Sequence, residues 1–100
     1  MTGEEVTGSM VTGDDTSLLI VDDDRPFLTR LARAMETRGF VVETADSVEE
    51  AVGKARANPP AYAVVDMRLG DGNGLDVVAA IREKREDARN AQLQAARQIN

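Results

Sequence analysis

The chain contains no cysteine and no histidine. The first absence excludes a disulfide framework and a thiolate metal site. The second removes Ser-His and Cys-His catalysis and the usual zinc ligands. Any metal site must therefore be built from oxygen, which selects magnesium, calcium or manganese. Tryptophan is missing too, and Phe27, Phe40 and Tyr62 are the whole aromatic set. The longest apolar runs are five residues, far below the ~20 that span a bilayer, so no membrane association is expected. The start of the chain carries Glu4 and Glu5 and no basic stretch, unlike a secretory leader, and a cytoplasmic location is expected. Basic residues are the minority: 12 Lys and Arg against 18 Asp and Glu give a formal charge of −6, which argues against direct nucleic-acid binding by this chain. Its 100 residues allow one small domain with a modest core.

What is present begins with Met1 to Ser17, rich in Thr, Gly and Ser with four acids and no base. That composition predicts a disordered tail. Leu18 to Val21 is a short apolar strand followed by the acidic loop Asp22-Asp23-Asp24. Pro26 suits the first turn of a helix, along which Phe27, Leu28, Leu31, Ala34 and Met35 follow helical spacing. Gly39 stands where a glycine ends a helix, and Phe40 to Thr44 is a second strand. Ser47 with Glu50 is a capping-box signature opening a helix with Val48, Ala51, Val52 and Ala55 on its apolar side. Asn58-Pro59-Pro60 ends it.

The stretch AYAVVDMRLGDGNGLD, Ala61 to Asp76, organises the rest. Ala61 to Val65 reads as a central parallel strand buried on both faces, running into Asp66 at its carboxyl end. In open α/β sheets that edge is where ligands bind. The glycines at 70, 72 and 74 predict a turn that uses positive φ, with a third helix from Leu75. From there to Asn100 there is neither Gly nor Pro, which predicts one long helix, with a break expected near Asp87 to Asn90. Strand, helix, strand, helix, strand, helix demands a parallel sheet with helices on its faces. With the first and third strands as neighbours, Asp22, Asp23 and Asp66 converge. Three carboxylates so close repel unless protons or a cation neutralise them, and a hard divalent ion is the natural solution. Gly72 to Val78 also resembles one calcium-binding nonapeptide repeat, but a single copy cannot bury a core. No Gly-Lys-Ser/Thr follows, so the turn is not a P-loop.

On these residues the sequence resembles the receiver domain of two-component response regulators. LLIVDDD, DDDRPFLTRLARAMETRGFVVETADS and PPAYAVVDMRLGDGNGLDVV are most similar to the RegA/PrrA/ActR redox-responsive transcription regulators. The resemblance implies a flavodoxin-like α/β fold with helices on both faces of the sheet. It implies that Asp66 is the phosphoacceptor, taking a phosphoryl group from a sensor histidine kinase. It further implies Mg2+ as cofactor, with Asp23 a direct ligand, Asp22 acting mainly through water, and Arg68 supplying a backbone carbonyl. Asp24 matches no metal position and reads as a loop acid. A receiver of this kind is not expected to count as an enzyme.

Departures from the family's pattern shape the remaining expectations. The family's fourth strand, ending in Ser/Thr, and its fifth, ending in Lys, have no match. Close relatives carry proline where this chain has Glu86, which lets a helix continue. The DNA-binding effector part is absent. A truncated, frame-altered or engineered receiver is therefore expected: a disordered tail over 1–17, a three-stranded partial receiver over 18–89 and a helical extension over 90–100. The rival expectation is a receiver remnant that no longer signals and self-associates, as a homodimer, through the open edge of the third strand or the long helices.

Overall fold

The computed structural model describes residues 15–99, with side chains described through Asp87; of the tail expected over 1–17, residues 1–14 lie outside the described residues. Three parallel strands, β1 (Ser17–Val21), β2 (Val41–Ala45) and β3 (Tyr62–Val65), form a sheet in the order β2-β1-β3. Helices α1 (Arg25–Thr37) and α2 (Val48–Ala57) connect them. A short antiparallel hairpin follows, β4 (Arg68–Leu69) with β5 (Gly72–Asn73), and α3 then runs from Gly74 to Ile99. The helix is continuous through 87–90, where a break was expected. Nothing in that stretch removes an N–H or adds backbone freedom, so the helical ladder has no reason to stop.

β1 is the centre of the molecule: Leu18, Leu19, Ile20 and Val21 are all buried. Their side chains alternate across the pleat and feed two separate clusters. Leu18 and Ile20 pack with Leu28, Leu31, Met35, Phe40 and Val42 under α1. Leu19 and Val21 pack with Ala45, Ala51, Ala55, Leu69 and Val77 under α2 and α3. Alternation on a strand covered on both faces is what makes the uninterrupted apolar run of β1 necessary.

β3 is an edge strand, as the missing fourth strand implied, but it is not buried on both faces as expected: Tyr62, Ala63 and Val64 are exposed, with Tyr62 at 40% and Val64 at 46%. The reason is coverage: α3 packs most extensively on α2 and only slightly on β3. Phe40 meets Tyr62 edge-on at 5.5 Å but does not cover the strand.

Helix ends follow the local chemistry. Asp24 is the N-cap of α1, its carboxylate accepting from the Phe27 N–H at 3.0 Å, with proline in the first turn. Gly39 has φ 100° just past the end of α1, the left-handed conformation expected of a glycine there. Ser47 caps α2 by accepting from the Glu50 N–H. The reciprocal bond of Glu50 goes to the Asp46 N–H, one residue earlier than a capping box places it. Gly70, Gly72 and Gly74, by contrast, do not use positive φ. The requirement at Gly74 is closeness instead: a Cβ there would lie 2.2 Å from the Asp66 carbonyl oxygen.

Candidate phosphoacceptor and metal site

Register places the acids. Val21 pairs with Val65 on one side and Ala45 on the other, so the residues that follow leave the sheet at one edge. The ladder continues one step further: the Asp66 N–H donates to the Val21 carbonyl at 2.9 Å, and the Asp22 N–H to the Ala45 carbonyl at 3.1 Å. Asp22 and Asp66 are thus held by backbone bonds on adjacent strands, which lie ~4.8 Å apart in a sheet. Asp22 is pinned further, its Oδ1 accepting from the Asp24 N–H at 2.9 Å. Oδ1 of Asp66 accepts from the Arg68 N–H at 3.2 Å, leaving its other carboxylate oxygen uncommitted among the described residues.

One carboxylate oxygen from each of Asp22, Asp23 and Asp66 lies within 4.8 Å of the other two. Asp22 and Asp66 are half-buried and Asp23 is exposed. The ion pairs among the described residues are Arg25–Asp46, Lys54–Glu50 and Arg85–Asp15; none reaches this cluster. Three acids without a basic partner form a hard, all-oxygen donor set. Opposite ligands on Mg2+ stand ~4.2 Å apart at the usual ~2.1 Å bond length. A spread of up to 4.8 Å is close to that separation. The residues present fit such an ion.

Of the residues singled out in the sequence, Asp22, Asp23 and Asp66 are brought together. Arg68 lies in β4, with its N–H turned to Asp66. Asp24 is a helix cap rather than a plain loop acid.

Sequence reading missed the latches around the cluster. Arg25 reaches Asp46 at 2.7 Å, and its guanidinium holds the Asp46 carboxyl below the ordinary range. The Asp71 carboxylate accepts from the Val48 and Glu49 N–H groups at 2.8 and 3.1 Å. Those two bonds lower its pKa in turn, the one from Val48 foremost. The hairpin carrying Asp71 had a signal in Gly70-Asp71, a two-residue connection rich in turn formers between Leu69 and Gly72. Nothing in the sequence marks Asp71 as the partner of a helix 22 residues away.

The family model for the response regulator receiver domain matches residues 18–97, and the chain belongs to that family. Receiver domains are signalling modules, and the relatives are regulators by name. The photosynthetic apparatus regulatory protein RegA of Cereibacter sphaeroides is 69% identical over 77 residues, 77% of this chain and 42% of RegA. The acid tolerance regulatory protein ActR of Sinorhizobium medicae is 65% identical over 77 residues, 77% of this chain and 40% of ActR. The transcriptional regulatory protein PrrA of Mycobacterium tuberculosis is 37% identical over 70% of this chain and 30% of PrrA. The chain thus spans about two fifths of the RegA and ActR lengths. Among solved structures, the non-phosphorylated HemR receiver domain from Leptospira biflexa superposes with a TM-score of 0.65 at 34% identity, over 73% of this chain and 59% of that one. The parallel sheet with helices on both faces is the flavodoxin-like receiver fold, here with three strands among the described residues.

Proposed function

We propose that the chain is a phosphoacceptor module that takes a phosphoryl group from a sensor histidine kinase onto Asp66, in a cytoplasmic two-component pathway. The observation that carries this reading is the convergence of Asp22, Asp23 and Asp66 within 4.8 Å at the carboxyl end of β1 and β3, in a chain of the receiver family. An uncommitted Asp66 oxygen attacks phosphorus in line with the donor's P–N bond. That bond breaks, its electron pair returns to the imidazole nitrogen, and an acyl phosphate is left on the aspartate. Asp23 and Asp66, with Asp22 mainly through water and the Arg68 carbonyl, would hold Mg2+, which would offset charge on the incoming phosphoryl oxygens. Asp22 is fixed by the Asp24 N–H and Asp66 by the Arg68 N–H, so both acids are oriented before the donor arrives.

The test is acetyl phosphate, a small donor that needs no kinase, read by intact mass. Wild type should gain one phosphoryl group slowly and only with Mg2+, and Asp66→Asn should gain none. An adduct that survives Asp66→Asn would sink the assignment.

A second reading draws on the exposed edge of β3. Ala63, Val65 and Met67 line an apolar groove of about 380 Å3 with Val78, Ile81 and Arg82 of α3. An open apolar edge is a template for another strand, and a second copy of this chain offers a self-complementary one. In this reading the chain is a self-associating remnant that no longer signals.

A further inference from the structure

The geometry points to Asp71 as a positioning residue for Asp66, acting through the hairpin between them; this inference rests on the reading of Asp66 as the phosphoacceptor. Residues 66–74 form a closed loop. It leaves the sheet at Asp66 and closes on its own base at Gly74, the first residue of α3, whose N–H donates to the Met67 carbonyl at 3.0 Å. The Gly74 backbone lies so close to the Asp66 carbonyl that no side chain fits between them. Within the loop, the Arg68 N–H orients the Asp66 carboxylate. The far tip is held by Asp71, whose two oxygens take the first two N–H groups of α2, at Val48 and Glu49. Such groups have no partner within their own helix. A carboxylate there gains both charge-assisted hydrogen bonds and the favourable end of the helix dipole. Leu69 adds an apolar pin in the core cluster against which Val48 of α2 also packs.

The other half of the site is tied to the same place. Arg25, next to the Asp22–Asp24 loop, pairs with Asp46 immediately before the Ser47 cap of α2. The N-terminus of α2 is thereby a common bracket for both acidic loops, one held through Asp46 and the other through Asp71. Releasing Asp71 leaves the hairpin anchored at its base and by Leu69 alone. The Arg68 N–H then no longer holds a fixed position against Asp66, and in-line attack is sensitive to misplacements of this kind.

The experiment compares wild type, Asp71→Ala and Asp71→Asn, the last keeping one acceptor oxygen. Amide hydrogen exchange by NMR, without phosphodonor or Mg2+, reads the clamp directly. Exchange at Arg68 and Gly74 should quicken about tenfold in Asp71→Ala and less in Asp71→Asn, while Asp22, bonded to Ala45, stays unchanged. Labelling by acetyl phosphate, at a temperature where circular dichroism shows all three folded, should slow by about tenfold in Asp71→Ala, with partial rescue in Asp71→Asn. A merely structural role would lower the melting temperature and leave the rate per folded molecule untouched. Unchanged exchange at Arg68 and Gly74, or an unchanged rate in a wild type that does label at Asp66, overturns the inference alone. A wild type that does not label overturns the phosphoacceptor reading itself and the positioning role with it.

Discussion

Asp23 and Asp24 are adjacent and chemically identical, yet their surroundings separate them. The Asp24 carboxylate accepts from the Phe27 N–H and starts α1, whereas the Asp23 carboxylate faces Asp22 and Asp66 with no hydrogen bond among the described residues. Their alanine variants should therefore fail differently. Asp24→Ala should lose about 1 kcal/mol of stability, the usual worth of an N-cap, and bind Mg2+ nearly as wild type. Asp23→Ala should keep its stability and weaken Mg2+ binding. Calorimetric titration beside thermal unfolding reads both, and equal losses of Mg2+ binding would remove the case for Asp23 as the direct ligand. Acid reads Asp71. Its folded pKa lies below the ordinary 3.8, so its contribution is present above that value and is lost as pH falls through the folded pKa. Asp71→Asn should accordingly flatten the acid limb of the stability curve below about pH 4.

Among the elements, β1, α1, β2 and α2 were legible because each signals within its own residues. The apolar run of Leu18 to Val21, Pro26 in a first turn, Gly39 past a helix end and Ser47 with Glu50 all act locally. β2 lies one residue later than the apolar residues suggested, at Val41–Ala45, and β1 opens one earlier, at Ser17. The Ser17 hydroxyl accepts from the Ala61 N–H, a partner that a local pattern does not name. The burial of β3 was misread for the same reason: an apolar run states what a strand tolerates, and coverage by other elements decides what it receives. The acids of the site were legible as a set because strand ends and parallel pairing bring them together, but the two latches onto α2 arise only in the tertiary fold. Gly74 belongs with them. Gly74→Ala puts a carbon against the Asp66 carbonyl, where backbone must yield, and should cost about 1–3 kcal/mol. Chemical denaturation measures it; a neutral substitution would mean that the hairpin base shifts freely.

For the whole molecule, the sheet closes on neither side of β1's two neighbours among the described residues, and the β3 side is the more apolar edge. Self-association at concentrations on the order of micromolar is expected for a modest interface of this kind. Sedimentation velocity over a range of concentrations checks it, and a single monomeric species throughout would retire the self-associating reading. A different consequence follows from β1 being apolar on both faces. A strand that slipped by one residue would merely exchange Leu18 and Ile20 for Leu19 and Val21, so hydrophobicity by itself guards poorly against the error. The guards are at its ends. A slip in one direction draws Asp22 in between its neighbours, where an ionised carboxylate loses its water; a slip in the other takes the Ser17 hydroxyl from the Ala61 N–H. The acid proposed to serve the site is thus also a stop that keeps the central strand in its place.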